Sequence, residues 1–163
     1  MIRRLGAADA ASYAALRLAG IRAHPEAFLP TAEEAEATPS EAVAKRLSDG
    51  MVFGAFDGDA LAGFIGVNPH RYAQMRHAAE IGPVYVVPAR RGDGTADALL
   101  RAAMAGARAD GVERLSLWVA EANSPARAFY ARHGFEVCGR LEDAVRLPDG
   151  TRVTDLLMAA RAI

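Results

Sequence analysis

Val84-Tyr85-Val86-Val87-Pro88-Ala89-Arg90-Arg91-Gly92-Asp93-Gly94-Thr95-Ala96 is the stretch on which the reading of the fold turns. It begins inside an apolar run, Glu80 to Val87, whose Ile81, Val84, Tyr85, Val86 and Val87 suit a central strand buried on both faces. Pro88 ends that strand, and two glycines within three residues turn the chain. Ala96, Leu99, Leu100, Ala103, Met104 and Ala107 then recur at helical spacing, a long amphipathic helix that Gly111 stops. A buried strand feeding a Gly-rich turn and a helix N-terminus is anion-binding architecture. The first amides of a helix lack intrahelical partners, the helix dipole adds positive charge, and glycine lets a phosphate approach the main chain.

Two familiar phosphate loops fail on the residues present. The nucleotide-triphosphate loop needs Lys and then Ser or Thr after its last glycine, whereas Thr95 and Ala96 follow Gly94. The dinucleotide fingerprint needs a third glycine where Asp97 stands.

Upstream, Ile2 to Leu5 reads as a short strand, Asp9 as the N-cap of a helix over Ala10 to His24, and Pro25 as its end. Pro25 to Pro39 reads as a surface excursion with a helical turn. Ser40 caps a further helix that Gly50 closes. Met51 to Phe56 and Leu61 to Val67, joined by Asp57-Gly58-Asp59, have the composition of a hairpin. Downstream come a strand over Leu115 to Val119, a Ser124-Pro125 helix start, and a short helix to His133 closed by Gly134. Two strands, Phe135 to Leu147 and Thr151 to Ala159, finish the chain around Pro148-Asp149-Gly150. This order describes one domain, a mixed α/β sheet with helices on its faces.

Composition narrows the function. A chain of 163 residues, 52% hydrophobic and 24% charged, is about one globular domain long. Its 19 Lys and Arg nearly cancel 20 Asp and Glu, which gives no long-range pull on nucleic acid or an anionic membrane. No stretch approaches the ~20 apolar residues of a membrane span, and no signal-length apolar run follows the first residues. Cys138, the one cysteine, forms no intrachain disulfide or multi-cysteine zinc site and suits the reducing cytoplasm. No metal site is expected. On its predicted strand Cys138 reads as a small buried apolar residue.

With those residues in view, Arg91, Gly94 and Ala96 resemble the signature of the GNAT superfamily of N-acetyltransferases: Gln or Arg, two residues, Gly, one residue, then Gly or Ala. Asn123, Tyr130 and the run His133-Gly134-Phe135 are similar to its second signature, in the right order. The specific motifs cover roughly Glu80 to Gly139. The resemblance implies a mixed, mainly antiparallel sheet with one splayed parallel strand pair and about four helices. It also implies acetyl-CoA as co-substrate, its pantetheine arm lying in the splay. By that likeness Val84, Tyr85 and Val86 offer main-chain groups to the arm. Arg91 and the amides of Gly92, Asp93, Gly94, Thr95, Ala96 and Asp97 hold the pyrophosphate, and Asn123 bonds the arm or else caps the following helix. Arg90 and Arg127 either pair with cofactor phosphates or stay solvated.

Acetyl transfer to an amine passes through an oxyanion, which a main-chain N–H near Val86 would stabilise if the strand is bulged there. An aliphatic amine, with a pKa of about 10, must first lose its proton. Glu80, on the strand leading into the cleft, is the candidate base, or else an ordinary acid at a strand end. Some relatives carry a catalytic Glu on the next strand, where Trp118 stands here. The departing thiolate, from a thiol of pKa about 8.5, wants a donor, and Tyr130 stands where the family has its tyrosine, unless it simply packs the helix. The implied reaction is direct attack in a ternary complex. Glu26, Glu33, Glu34 and Glu36 point to a cationic small molecule as acceptor, with a peptide N-terminus or an amino acid as alternatives. Neither nucleic acid nor membrane is expected as partner, and the last strands offer a route to a homodimer. The alternative from another class is a non-catalytic acyl-CoA-binding sensor or interaction module.

Overall fold

The computed structural model describes residues Met1 to Ala162. In chain order it runs β1 (Ile2–Arg4), α1 (Ala10–Ala23), α2 (Ala32–Glu36), α3 (Ser40–Asp49), β2 (Met51–Asp57), β3 (Ala60–Pro69) and β4 (Ala78–Val86). There follow α4 (Thr95–Ala109), β5 (Arg114–Ala120), α5 (Ser124–Arg132), β6 (Glu136–Arg146) and β7 (Arg152–Arg161). The strands form one sheet in the order β1-β2-β3-β4-β5-β7-β6. Every neighbouring pair is antiparallel except β4 and β5, which run parallel. The expected mixed, mainly antiparallel sheet with a single parallel pair is therefore present, with five α-helices among the described residues where about four were expected.

Each face of the sheet has its own core. On one face the stripe Leu99, Leu100, Ala103 and Ala107 of α4 is wholly buried against the inward residues Leu115, Leu117 and Val119 of β5. Tyr130 and Phe135 close the end of the same cluster. On the other face Tyr13 and Ile21 of α1 and Val43 and Leu47 of α3 cover Val52, Phe64 and Tyr85. That second layer covers β2, β3 and β4 and leaves the β5-β7-β6 half of the same face open, apart from the 3-10 turn Pro25–Ala27, which reaches β5.

Helix starts differ from expectation in instructive ways. The Asp9 carboxylate turns back to accept the Gly6 N–H at 2.9 Å and both guanidinium nitrogens of Arg3 at 2.7 and 2.8 Å, so α1 begins without a side-chain cap. Ser40 is the first helical residue of α3, and Pro39 takes the cap position. The excursion after Pro25 contains α2, started by a reciprocal pair. Thr31 N–H donates to Glu34 Oε2 at 2.8 Å and Glu34 N–H to Thr31 Oγ1 at 3.2 Å, a capping box that Thr-x-x-Glu encodes. Cys138 is exposed, not buried, because β6 is the outermost strand of the sheet.

Candidate active site

The parallel pair is short. Ala78, Ala79 and Glu80 of β4 lie opposite Arg114, Leu115 and Ser116 of β5, and there the pairing stops. Beyond it β4 stays with β3, Val84 opposite Ile65 and Val86 opposite Gly63, while β5 stays with β7, Trp118 opposite Leu157 and Ala120 opposite Asp155. A gap therefore opens in the middle of the sheet. Val87 donates its N–H to Ala62 of β3, so strand alternation turns the main-chain groups of Val86 and Val84 to the gap and those of Tyr85 to β3. Of the three residues expected to offer main-chain groups to a cofactor, Val84 and Val86 turn theirs to the gap, and Tyr85 turns its own to β3.

The bulge lies elsewhere than near Val86. Ile65 and Val67 pair with Val84 and Ile81, so Gly82 and Pro83 together oppose the single Gly66. A Cβ at Gly66 would sit 2.6 Å from the Gly82 carbonyl oxygen, which is why the position is glycine. The bulge kinks β4 just after Glu80, where the two parallel strands part.

After Val86 a 3-10 turn over Pro88–Arg90 leads to Arg91, Gly92 and Gly94 and then to α4. Gly92 and Gly94 have φ of +77° and +90°, the left-handed region that glycine enters without steric penalty, and they turn the chain into the start of α4. Arg91, though exposed, is tethered at both ends of its guanidinium: its Nε donates to the Val86 carbonyl at 3.0 Å, and its Nη2 lies 3.3 Å from His24 Nε2. Asp93 is also engaged, accepting the Thr95 N–H at 2.9 Å and Arg90 Nε at 2.6 Å. Thr95, through its hydroxyl and its N–H, and then Arg90 hold the Asp93 carboxyl at about 2. Arg90, bridging Asp93 and Asp57, is tied to acids, and Arg127 donates to the Glu121 carbonyl. Asp97, in the first turn of α4, meets His133 Nε2 at 2.8 Å, and that hydrogen bond lowers the Asp97 carboxyl. The contact ties the helix that follows β4 to the end of α5, which follows β5.

On the other wall, Asn123 Oδ1 accepts the Ala126 N–H at 3.2 Å. Asn123 and not Ser124 is thus the cap of α5, and its Nδ2 remains a donor. Tyr130 is buried between Phe129 and Phe135, ring centroids 5.1 and 5.7 Å away, and burial pushes its hydroxyl up to about 12. Glu80 sits at the mouth of the gap. Its neighbours Ala79 and Ile81 are buried on the α4 side, so its own side chain lies on the opposite face from Tyr130. The gap, the helix N-terminus at its edge and two polar groups on opposite faces can accommodate an extended anionic thioester, with separate routes for an incoming and a leaving group. Reasoning from sequence missed the Asp97–His133 contact and the Arg91–His24 contact, since neither pairing has a local signature.

Comparison with known proteins agrees with this geometry. Residues 18–135 match the model of the Acetyltransferase (GNAT) family. Streptothricin acetyltransferase of Streptomyces lavendulae is 40% identical over 83 residues, which are 51% of this chain and 42% of that one. The chain spans less than half the length of the curated relatives it matches. Among solved structures, an acetyltransferase of the GNAT family from Streptococcus pneumoniae is 25% identical with a TM-score of 0.84, over 99% of this chain and 98% of that one. YncA of Salmonella typhimurium, solved with its cofactor acetyl-CoA, shares the fold with a TM-score of 0.86 at 17% identity, over 100% of this chain and 94% of that one. With a splayed parallel pair, a Gly-rich loop at the head of α4 and a family match across both walls of the gap, the chain belongs to the GNAT acetyltransferase family.

Proposed function

We propose that this chain moves the acetyl group of acetyl-CoA to a primary amine of a small molecule or peptide by direct attack in a ternary complex. The observation that carries the reading is the end of β4–β5 pairing at Glu80 and Ser116, which opens a gap edged by the main chain of Val84 and Val86 in the same segment that leads to the N-terminus of α4. Those groups fit the cofactor's chemistry, main-chain donors and acceptors for an amide-bearing arm and helix-terminal N–H groups for a pyrophosphate. When bound, the cofactor supplies an activated acyl group. Gly92, Asp93, Gly94, Thr95, Ala96 and Asp97 provide the pyrophosphate cradle, Arg91 flanks it, and Asn123 Nδ2 reaches for the arm.

Glu80 takes the proton of the acceptor amine, directly or through water, from the open face of the sheet. The nitrogen then forms its bond to the acyl carbon while the carbon–sulfur bond breaks. On the opposite face the protonated Tyr130 hydroxyl donates a hydrogen bond to the departing sulfur. Entry from one face and departure to the other is what the placement of Glu80 and Tyr130 supports. The single exposed cysteine and the absence, among the described residues, of a helix long and apolar enough to cross a membrane support a cytoplasmic setting. The exposed Val137 and Leu141 of β6 support pairing with a second copy through the last strands.

Titration calorimetry with acetyl-CoA, followed by thiol release on adding a panel of amines, tests the proposal. Binding with amine-dependent thiol release is the expected result. Binding without release from any amine would instead support a sensor, a reading that Trp118 in place of a β5 carboxylate favours. No binding would sink both.

A further inference from the structure

Trp118 is the one tryptophan of the chain, and 44% of it is exposed. Leu115, Leu117 and Val119 point into the α4-side core, so Ser116, Trp118 and Ala120 share the opposite, open face. Their partners there are Glu80 across from Ser116, Leu157 across from Trp118, and Asp155 across from Ala120. Along that face the indole follows Glu80 by two residues and precedes Asp155 by two, which at the usual rise of a strand is about 7 Å each way. The Pro25–Ala27 turn lies beside β5, its Glu26 carboxylate 3.5 Å from His24 Nδ1.

Asp155 is half-buried, and burial raises its carboxyl, with no cation or hydrogen-bond donor among the described residues offsetting the effect. An unpaired carboxylate of this kind gains from a counter-cation, and the face of an indole attracts cations as well. An acceptor bearing its own carboxylate would meet Glu80 and Asp155, both of the same sign.

Building on the acetyltransferase reading, we infer that Trp118 and Asp155 are specificity determinants that select an acceptor carrying a second cationic group, placed about 7 Å from the nitrogen that is acetylated. The second cation rests on the indole and faces Asp155, while the reacting amine lies at the mouth of the gap beside Glu80.

The test compares 1,5-diaminopentane, pentylamine and 5-aminopentanoate as acceptors with saturating acetyl-CoA. We expect kcat/KM for the diamine to exceed that for pentylamine by about 30-fold, the scale of a desolvated cation–π contact, with 5-aminopentanoate slowest. Trp118→Leu and Asp155→Asn should each narrow the ratio of diamine to pentylamine to about 3-fold or less. A readout independent of turnover uses the lone tryptophan. Pentyltrimethylammonium, which has no amine to acetylate, should give a saturable change in Trp118 fluorescence in the CoA complex, smaller and weaker in Asp155→Asn. Equal kcat/KM for diamine and pentylamine, or no saturable fluorescence change, with acetyl-CoA binding intact, overturns this inference alone. Failure to bind acetyl-CoA overturns the transferase reading and this inference together.

Discussion

Burial between Phe129 and Phe135 keeps the Tyr130 hydroxyl protonated up to about pH 12, far above any assay condition. In the proposed reaction a donor so weakly acidic would serve the leaving thiolate through a hydrogen bond that strengthens as charge builds on sulfur. Tyr130→Phe should therefore lower kcat at least about 100-fold while calorimetric affinity for acetyl-CoA changes less than about 3-fold. Because the raised pKa favours the donor form, the wild-type rate should show no alkaline fall attributable to Tyr130 below about pH 11. Gly94 makes a different case. A side chain there meets open space, so the strain of its φ of +90° is the structural penalty, about 1–2 kcal/mol by urea denaturation. In Gly94→Asp the added charge at the head of α4 should in addition abolish acetyl-CoA binding in calorimetry; unchanged affinity would remove the pyrophosphate assignment.

Among elements, β4 carries the most and reveals the most about legibility. Its apolar run, its end at Pro88, and the Arg91 to Ala96 loop are readable in the sequence because the chemistry is local: a free helix terminus, glycines at set spacing, and a periodic apolar stripe behind them. The bulge is not readable in the same way. It depends on Gly66 of β3 facing Gly82 and Pro83 of β4, a register that no single segment states. The same limit hides Asp97–His133, 36 residues apart in sequence, and the alignment of Glu80, Trp118 and Asp155, which needs three strands in register. Asn123, by contrast, takes the cap role that its sequence allowed, through its oxygen, and leaves its amide nitrogen as a donor. If the bulge sets the course of β4 along the gap, Gly66→Ala should cost about 1–3 kcal/mol in denaturation and also raise the Kd for acetyl-CoA, since a Cβ 2.6 Å from the Gly82 oxygen must push β4 away. Loss of stability with unchanged Kd would mean that the bulge serves packing only.

For the molecule as a whole, acid response follows from groups whose pKa moves on folding. Asp9, held at about 2 chiefly by its Arg3 hydrogen bond, and Asp93, held at about 2 by Thr95 and Arg90, both lie below their ordinary 3.8. A depressed carboxyl contributes stability that is present above the unfolded value and lost as pH falls through the folded one. Asp155, raised by burial, acts in the opposite direction and above that range, its unfavourable contribution being relieved as pH falls from its raised value toward the ordinary 3.8, and Tyr130 contributes only on the alkaline side. The urea midpoint should accordingly stay level between about pH 5 and 9 and fall between about pH 4 and 2, and Asp9→Asn should shrink that fall while lowering stability at neutral pH. A flat midpoint down to about pH 2 would contradict these assignments. The parting of β4 from β5 also has a consequence for the life of the protein. A sheet normally keeps its unpaired edges at the periphery, whereas this one holds two in its interior, facing each other across a space that a small metabolite would bridge. Such a metabolite behaves as a missing strand, and its free concentration enters the folding equilibrium directly, adding about 2.7 kcal/mol at a hundred times its Kd. Abundance of the protein would then follow the acyl-carrier supply, longer-lived when the pool is full and turned over faster when it is drained.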